Sequence, residues 1–221
     1  MHIPDAFITP TTAAVMFGIS IVCLAYSWKK VRAEYQKSFA PLLAISSAFV
    51  FAAQMINFPL IFGTSGHLVG GTFLAVLLGP WAGMLSMTIV LLMQAVFFAD
   101  GGIIAFGANV FNMAIIGALS FYLVKLFNRN STSQKRFGSS VFLASWLSVV
   151  TGSLLVALQI GVSPVFAEAG GLMVIAPAML FWHILIGLGE GAITTSLILS
   201  LQRLKPALMG NLALLKGKVT Q

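Results

Sequence analysis

The sequence predicts an all-α polytopic membrane protein of about seven transmembrane helices, and three observations carry that reading. Of its 221 residues, 59% are hydrophobic and only 8% are charged, where soluble chains carry roughly 25% charged residues. Its apolar runs approach the roughly 20 residues that a hydrocarbon core about 30 Å thick asks of a helix. Its 12 lysines and arginines gather in three short stretches between or after those runs. The spans use up the length, so residues 1–221 read as a single transmembrane domain with a short N-terminal segment, 1–10, ahead of it. Cys23 is the one cysteine, which excludes a disulfide framework and a Cys-rich structural metal site.

Taken in order, spans are expected at about 11–28, 39–57, 67–80, 82–99, 103–127, 139–161 and 174–202. The first has no Lys or Arg before it and runs longer than a signal-peptide h-region, so it should stay attached and leave Met1 as the mature terminus. The third and fourth are divided by Gly79-Pro80-Trp81. Pro80 marks either a tight turn or a kink there, and the turn is favoured because the charge map then closes. Lys29, Lys30, Arg32 and Lys37 follow the first span; Lys125, Arg129, Lys135 and Arg136 lie between the fifth and sixth; Arg203, Lys205, Lys216 and Lys218 follow the seventh. Under seven spans these three stretches share one side. The positive-inside rule makes that side cytoplasmic, with the N-terminus outside and the C-terminus inside. Asp5, Asp100 and Glu168 then fall on the outer side. The net charge of +7 therefore reports orientation, and no basic domain exists to present a nucleic-acid patch.

Met1-His2 places an α-amine, a backbone amide nitrogen and an imidazole at consecutive chelating positions. Amine and amide close a five-membered ring on a metal, and amide with imidazole Nδ1 closes a six-membered one. Such a planar nitrogen set suits Ni(II) or Cu(II) and suits Zn(II), Mg(II) or Ca(II) poorly. A free terminus is otherwise an ordinary mobile stub. His67, in Gly63-Thr64-Ser65-Gly66-His67-Leu68-Val69-Gly70-Gly71, stands at the outer end of the third span and on the same side as Met1. It supplies a fourth nitrogen, and its glycine neighbours permit the bends a metal loop needs.

These residues resemble the substrate-binding membrane subunits of energy-coupling-factor transporters for nickel and cobalt, the NikM/CbiM family. Met1-His2-Ile3-Pro4-Asp5-Ala6-Phe7 is similar to that family's Met-His-Ile-Pro-Asp-Gly start, with Ala6 in place of the usual glycine. Also similar are His67-Leu68-Val69-Gly70-Gly71-Thr72, Leu78-Gly79-Pro80-Trp81-Ala82, Gln94-Ala95 followed by Asp100-Gly101-Gly102, Gly107-Ala108-Asn109, and His183 through Gly191. The resemblance implies that the Met1 amine, the His2 amide and imidazole, and His67 bind the ion in a near-planar site. It implies a six-helix core plus an extra N-terminal helix that lets the chain end tuck into the bundle from outside. It also implies partners: a transmembrane coupling subunit, ATPase subunits and a further small membrane subunit. In that class an alanine row on the first core helix contacts the coupling subunit; here the row is Ala44, Ala48 and Ala52 on the second span. Intramolecular packing is the other reading of such a row.

Ser65, Asn109 and Asp5 are polar groups that could orient the ligands, although each has a loop or capping explanation. His183 and Glu190, seven residues apart on the last span, share a helix face. They read either as a transient metal or proton position or as a structural pair, and Gly187, Gly189 and Gly191 around Glu190 favour structure. No Gly-x-x-x-x-Gly-Lys-Ser/Thr occurs, so this chain has no phosphate-cradling loop for ATP. Nucleophile-elbow and His-Glu-x-x-His motifs are missing too. The function expected is capture of Ni(II), with Co(II) the alternative, at an outward-facing four-nitrogen site and delivery inward by an ATP-driven importer of a bacterial or archaeal inner membrane. A passive metal channel and a membrane metalloenzyme built on His183 and Glu190 are the competing classes.

Overall fold

Seven helical stretches account for most of the chain in this computed structural model, which describes residues 1–34, 39–59, 65–129, 131–168 and 170–208. Lys37, Gly63, Thr64, Lys216 and Lys218 lie outside the described residues. Helix α1 spans Pro10–Glu34, α2 Ala40–Met55, α3 Gly71–Leu78 and α4 Pro80–Phe98. Helix α5 runs Phe106–Phe127, α6 Gln134–Gly161 and α7 Gly171–Leu204. A two-stranded hairpin pairs Phe58–Pro59 (β1) with Ser65–Gly66 (β2) in antiparallel register between α2 and α3. Five helices, α1 and α4 to α7, are long and apolar enough to cross a membrane, and α2 is a shorter apolar helix of 16 residues.

The helix ends follow from local chemistry. Helix α1 opens on Pro10, whose fixed φ suits a first helical position, and the Thr9 hydroxyl accepts from the Thr12 amide at 3.1 Å. Ser133 caps α6 by accepting from the Arg136 amide. Gly79 is the single residue between α3 and α4, at φ +86 and ψ 160. Only glycine takes that backbone without strain, and Pro80 then starts α4. The Gly79-Pro80 break is thus a turn between two helices that pack on each other, Gly83 of α4 meeting the Leu74–Ala75 backbone of α3.

The expected span 67–80 is corrected in its first part. His67 to Gly70 is irregular backbone, and the helix that follows has eight residues, all buried. Too short to cross a bilayer about 30 Å thick by itself, it is covered by its neighbours. Non-helical backbone at such depth is tolerated where protein surrounds it. Helix α5 widens into a π turn over Val110–Ile115, a local distortion often found at functional sites. Asn112 on that turn exchanges two hydrogen bonds with Gln159 of α6, at 2.8 and 3.0 Å.

The main core is built from α3 to α6 and includes the Met1 side chain, only 2% exposed. A smaller cluster around Ile3, Ile8, Ala108, Val156, Ile160 and Met179 seats the rest of the N-terminal segment. Helix α1 lies on the outside, tied to the bundle by Ser20 Oγ donating to the Gly107 carbonyl and Ser27 Oγ donating to the Trp81 carbonyl, both at 2.7 Å. The helix α1 path returns the chain start into the bundle.

Candidate metal centre

The N-terminal segment enters the bundle because its backbone finds fixed partners there. The Ile3 amide donates to Asn109 Oδ1 at 2.8 Å, and Asn109 Nδ2 donates back to the Ile3 carbonyl at 3.1 Å. The Gly102 amide also donates to that carbonyl, at 2.8 Å. Asp5 accepts from the amides of Ile103, Ile104 and Ala105, closing the loop that precedes α5. A side chain at Gly102 would strike the Asp5 carboxylate and backbone, so the two segments meet only because that residue is glycine. Ala6 sits at φ +69, a left-handed backbone that costs a residue with Cβ about 1 kcal/mol. A glycine, which the resemblance implies at this position, would take that backbone without strain.

Held this way, Met1, His2 and His67 come together. The Met1 nitrogen donates to His67 Nε2 at 3.4 Å, and the His2 and His67 rings stack with centroids 4.8 Å apart and planes 26° apart. All three residues are buried. The structure fixes which ring nitrogen carries the proton. At one end of a relay the Val69 carbonyl can only accept, so Gln54 presents its Nε2–H there, at 2.5 Å. Gln94 Nε2–H then donates to Gln54 Oε1 at 2.8 Å, leaving Gln94 Oε1 to accept from His2 Nε2–H at 3.2 Å. Nδ1 of His2 is therefore the lone-pair nitrogen, the one that a six-membered chelate with the His2 amide requires. In His67, Nδ1–H donates to the Leu68 carbonyl at 2.8 Å, so Nε2 is free to ligate. Committing the second ring nitrogen of a ligating histidine in this way is the usual means of orienting it.

Burial has electrostatic consequences. Removal from water lowers the Met1 amine from 8.0 to about 5, against a smaller upward pull from Asp100. The same desolvation lowers His2 from 6.5 to about 3, helped by the nearby amine. It carries His67 well below 6.5, with the amine, His2 and His183 adding to the effect. Asp100 is raised from 3.8 by partial burial, opposed by the amine.

The remaining sequence expectations divide. Asn109 and Asp5 anchor the N-terminal backbone and do not touch a ring nitrogen; of Ser65 only the backbone, paired with Pro59, is described. His183 and Glu190 do not pair with each other. The Glu190 carboxylate accepts from the Val69 amide at 2.7 Å and the Gly70 amide at 2.8 Å, which clamps the His67 loop to α7. His183 Nδ1–H donates to the Met179 carbonyl at 2.8 Å. Sequence reasoning missed Gln54 and gave Gln94 only as part of a motif that carries the resemblance; the signal was an uncharged polar residue near the end of each of two apolar helices.

A multi-pass helical membrane protein with buried nitrogens converging from its own chain end is the class that fold and site define. The chain belongs to the family described as the cobalt uptake substrate-specific transmembrane region, CbiM, matched over residues 2–208. It is 39% identical over 207 residues to a putative fused nickel transport protein, NikMN, of Archaeoglobus fulgidus, covering 93% of this chain and 67% of that protein. It is equally identical, 39% over 210 residues, to a putative metal transport protein of Haloquadratum walsbyi, covering 95% and 93%. A crystal structure described as a truncated transition metal transporter superposes with a TM-score of 0.85 at 35% identity, covering 92% of this chain and 99% of that one. The family is one of nickel and cobalt transport proteins, so this is a transporter component in place of an enzyme.

Proposed function

We propose that this chain captures Ni(II) at a four-nitrogen site made by the Met1 amine, the His2 amide and Nδ1, and His67 Nε2, and delivers it inward as the substrate-specific subunit of an ATP-driven importer of the energy-coupling-factor type. The observation that carries the reading is the convergence of buried lone pairs: both imidazoles have their other N–H committed elsewhere, His67 Nε2 lies 3.4 Å from the Met1 nitrogen, and His2 Nδ1 has no hydrogen-bond partner among the described residues. A planar nitrogen set favours Ni(II) over Co(II), and names given to relatives include both metals. In this reading all seven helices cross or enter the bilayer as a six-helix core plus α1, in an inner membrane, with the N-terminus outside. Lys29, Lys30 and Arg32 at the end of α1, Lys125 and Arg129 at the end of α5, Lys135 and Arg136 at the start of α6, and Arg203 and Lys205 at the end of α7 are the cytoplasmic charges that support it.

Energy comes from separate coupling and ATPase subunits, with a small accessory membrane subunit. Ala44, Ala48 and Ala52 are all exposed on α2, and Ala44 and Ala48 line a groove of about 430 Å³ between α2 and α4. Exposure fits a partner-facing row better than intramolecular packing.

The test adds one residue before Met1. The extension moves the amine out of its chelate ring while both histidines stay in place, and it has no room in the buried site. Nickel affinity measured by calorimetry on purified protein should fall by orders of magnitude. Unchanged affinity would end the proposal.

A further inference from the structure

Asp100 is not among the nitrogens of the proposed centre, yet its carboxylate faces one of them. Its Oδ1 lies 3.3 Å from His2 Nδ1. Because the glutamine relay commits the proton of His2 to Nε2, this contact sets a carboxylate oxygen against a nitrogen lone pair, acceptor to acceptor. Neither His2 Nδ1 nor Asp100 Oδ2 has a hydrogen-bond partner among the described residues. Two electron-rich atoms held this close by a folded loop fit a cation between them.

Their exposures give the arrangement a direction. The His2 side chain is 3% exposed and that of Asp100 is 21% exposed, so Asp100 stands nearer the surface of the bundle than the nitrogen it faces. Asp100 follows α4 directly, its amide donating to the Gln94 carbonyl at 3.1 Å. The same Gln94 holds His2 through its side chain. One residue therefore fixes the positions of both atoms. Chemistry assigns the order of events: a hydrated divalent ion exchanges a first water readily for a charged carboxylate oxygen, whereas the transition metals prefer nitrogen once dehydrated.

We propose that Asp100 Oδ1 and His2 Nδ1 form a first-contact site for a hydrated divalent transition-metal ion, from which the ion passes into the buried nitrogen set. Asp100 is a capture residue and gives up the ion when the plane closes. The proposal rests on the metal-uptake reading above.

The experiment is stopped-flow mixing of Ni(II) with purified full-length protein bearing its native N-terminus, followed by the absorption of the final complex. Asp100→Asn should bind the same number of ions per chain with the same final spectrum and the same affinity. Its association and release rates should both fall at least about tenfold, since a group that holds the ion only on the way lowers the barrier in both directions, and association should lose most of its dependence on ionic strength, as removal of a steering charge does. Asp100→Glu, which keeps the charge, should associate at close to the wild-type rate. An Asp100→Asn protein that associates as fast as wild type overturns the proposal. So does one with an altered spectrum, faster release or no binding, since Asp100 would then be a permanent ligand or a structural residue. Failure of the wild type itself to bind nickel would instead overturn the metal-uptake reading, and this inference with it.

Discussion

A free peptide beginning Met-His must shed protons from its amine and its imidazole before a metal can sit on both. Here burial has already removed them: the amine stands at about 5 and His2 at about 3, and His67 is well below its usual value. The charged form of each base is the one that burial penalises, so each folded value lies below the unfolded one. Protons compete with metal for these nitrogens only as pH falls through the folded values. Between about pH 6 and pH 8, binding should release about one proton per ion, that of the His2 amide, and log affinity should rise with a slope of about one per pH unit. Below about pH 5 the amine takes up a proton and the slope should steepen to about two. An exposed chelate with the ordinary values of 8.0 and 6.5 would release at least about two protons at neutral pH. Calorimetry in buffers of differing ionisation enthalpy counts the protons, and two or more at pH 7 would mean that the chain end is not buried before the metal arrives.

Among the elements, the short loop before α3 carries the coupling. Residue Val69 is held from both sides: its amide by Glu190 on α7, its carbonyl by Gln54 on α2, which continues through Gln94 on α4 to His2. The His67 loop and the His2 ring, both parts of the proposed site, are therefore tied together through one residue. Replacing Glu190 by Gln puts a neutral amide where two backbone donors need a carboxylate, and its NH2 group cannot accept. Nickel affinity should drop about 10- to 100-fold, the usual cost of losing an outer hydrogen-bond partner of a metal site. Gln94→Leu, which strands the His2 Nε2–H, should cause a loss of similar size. Full affinity in both variants would show that the ligands are held without the relay. How visible these parts are in the sequence follows their range. Met1, His2 and His67 could be read because a chelate is a local property of adjacent residues and His67 stands out among glycines. The helices could be placed because hydropathy runs are local as well. Hydropathy cannot separate the buried loop 67–70 from the buried helix after it, so the expected third span starts ahead of the helix Gly71–Leu78. The Gln54–Gln94 bond joins residues 40 positions apart; their facing is decided by how α2 packs on α4, which no local pattern records.

For the whole molecule, the proposed function separates capture from delivery: the candidate nitrogens belong to the N-terminal segment and the His67 loop, while the alanine row lies on α2. Ala44, Ala48 and Ala52 are exposed, while Ser47 and Gln54 of the same helix are buried against the bundle: Ser47 meets Ser86 of α4 at 2.5 Å, and Gln54 enters the relay. One helix thus presents small residues outward and site-supporting residues inward. Small side chains cost little by themselves in a lipid-facing surface; their use is to let another helix approach closely. A bulky residue in the middle of the row should then act on assembly alone. In Ala48→Trp, nickel binding by the isolated subunit should stay within about twofold of wild type, since Ala48 is exposed and takes no part in the hydrogen bonds of the relay. Co-purification with the coupling and ATPase subunits should fall at least about tenfold, because the ring prevents close helix contact. Metal-stimulated ATP hydrolysis by the reconstituted complex should fall with it. Intact assembly and transport in Ala48→Trp would place the coupling surface elsewhere. Loss of nickel binding in the isolated subunit would show instead that the α2 face and the metal centre are one structural unit.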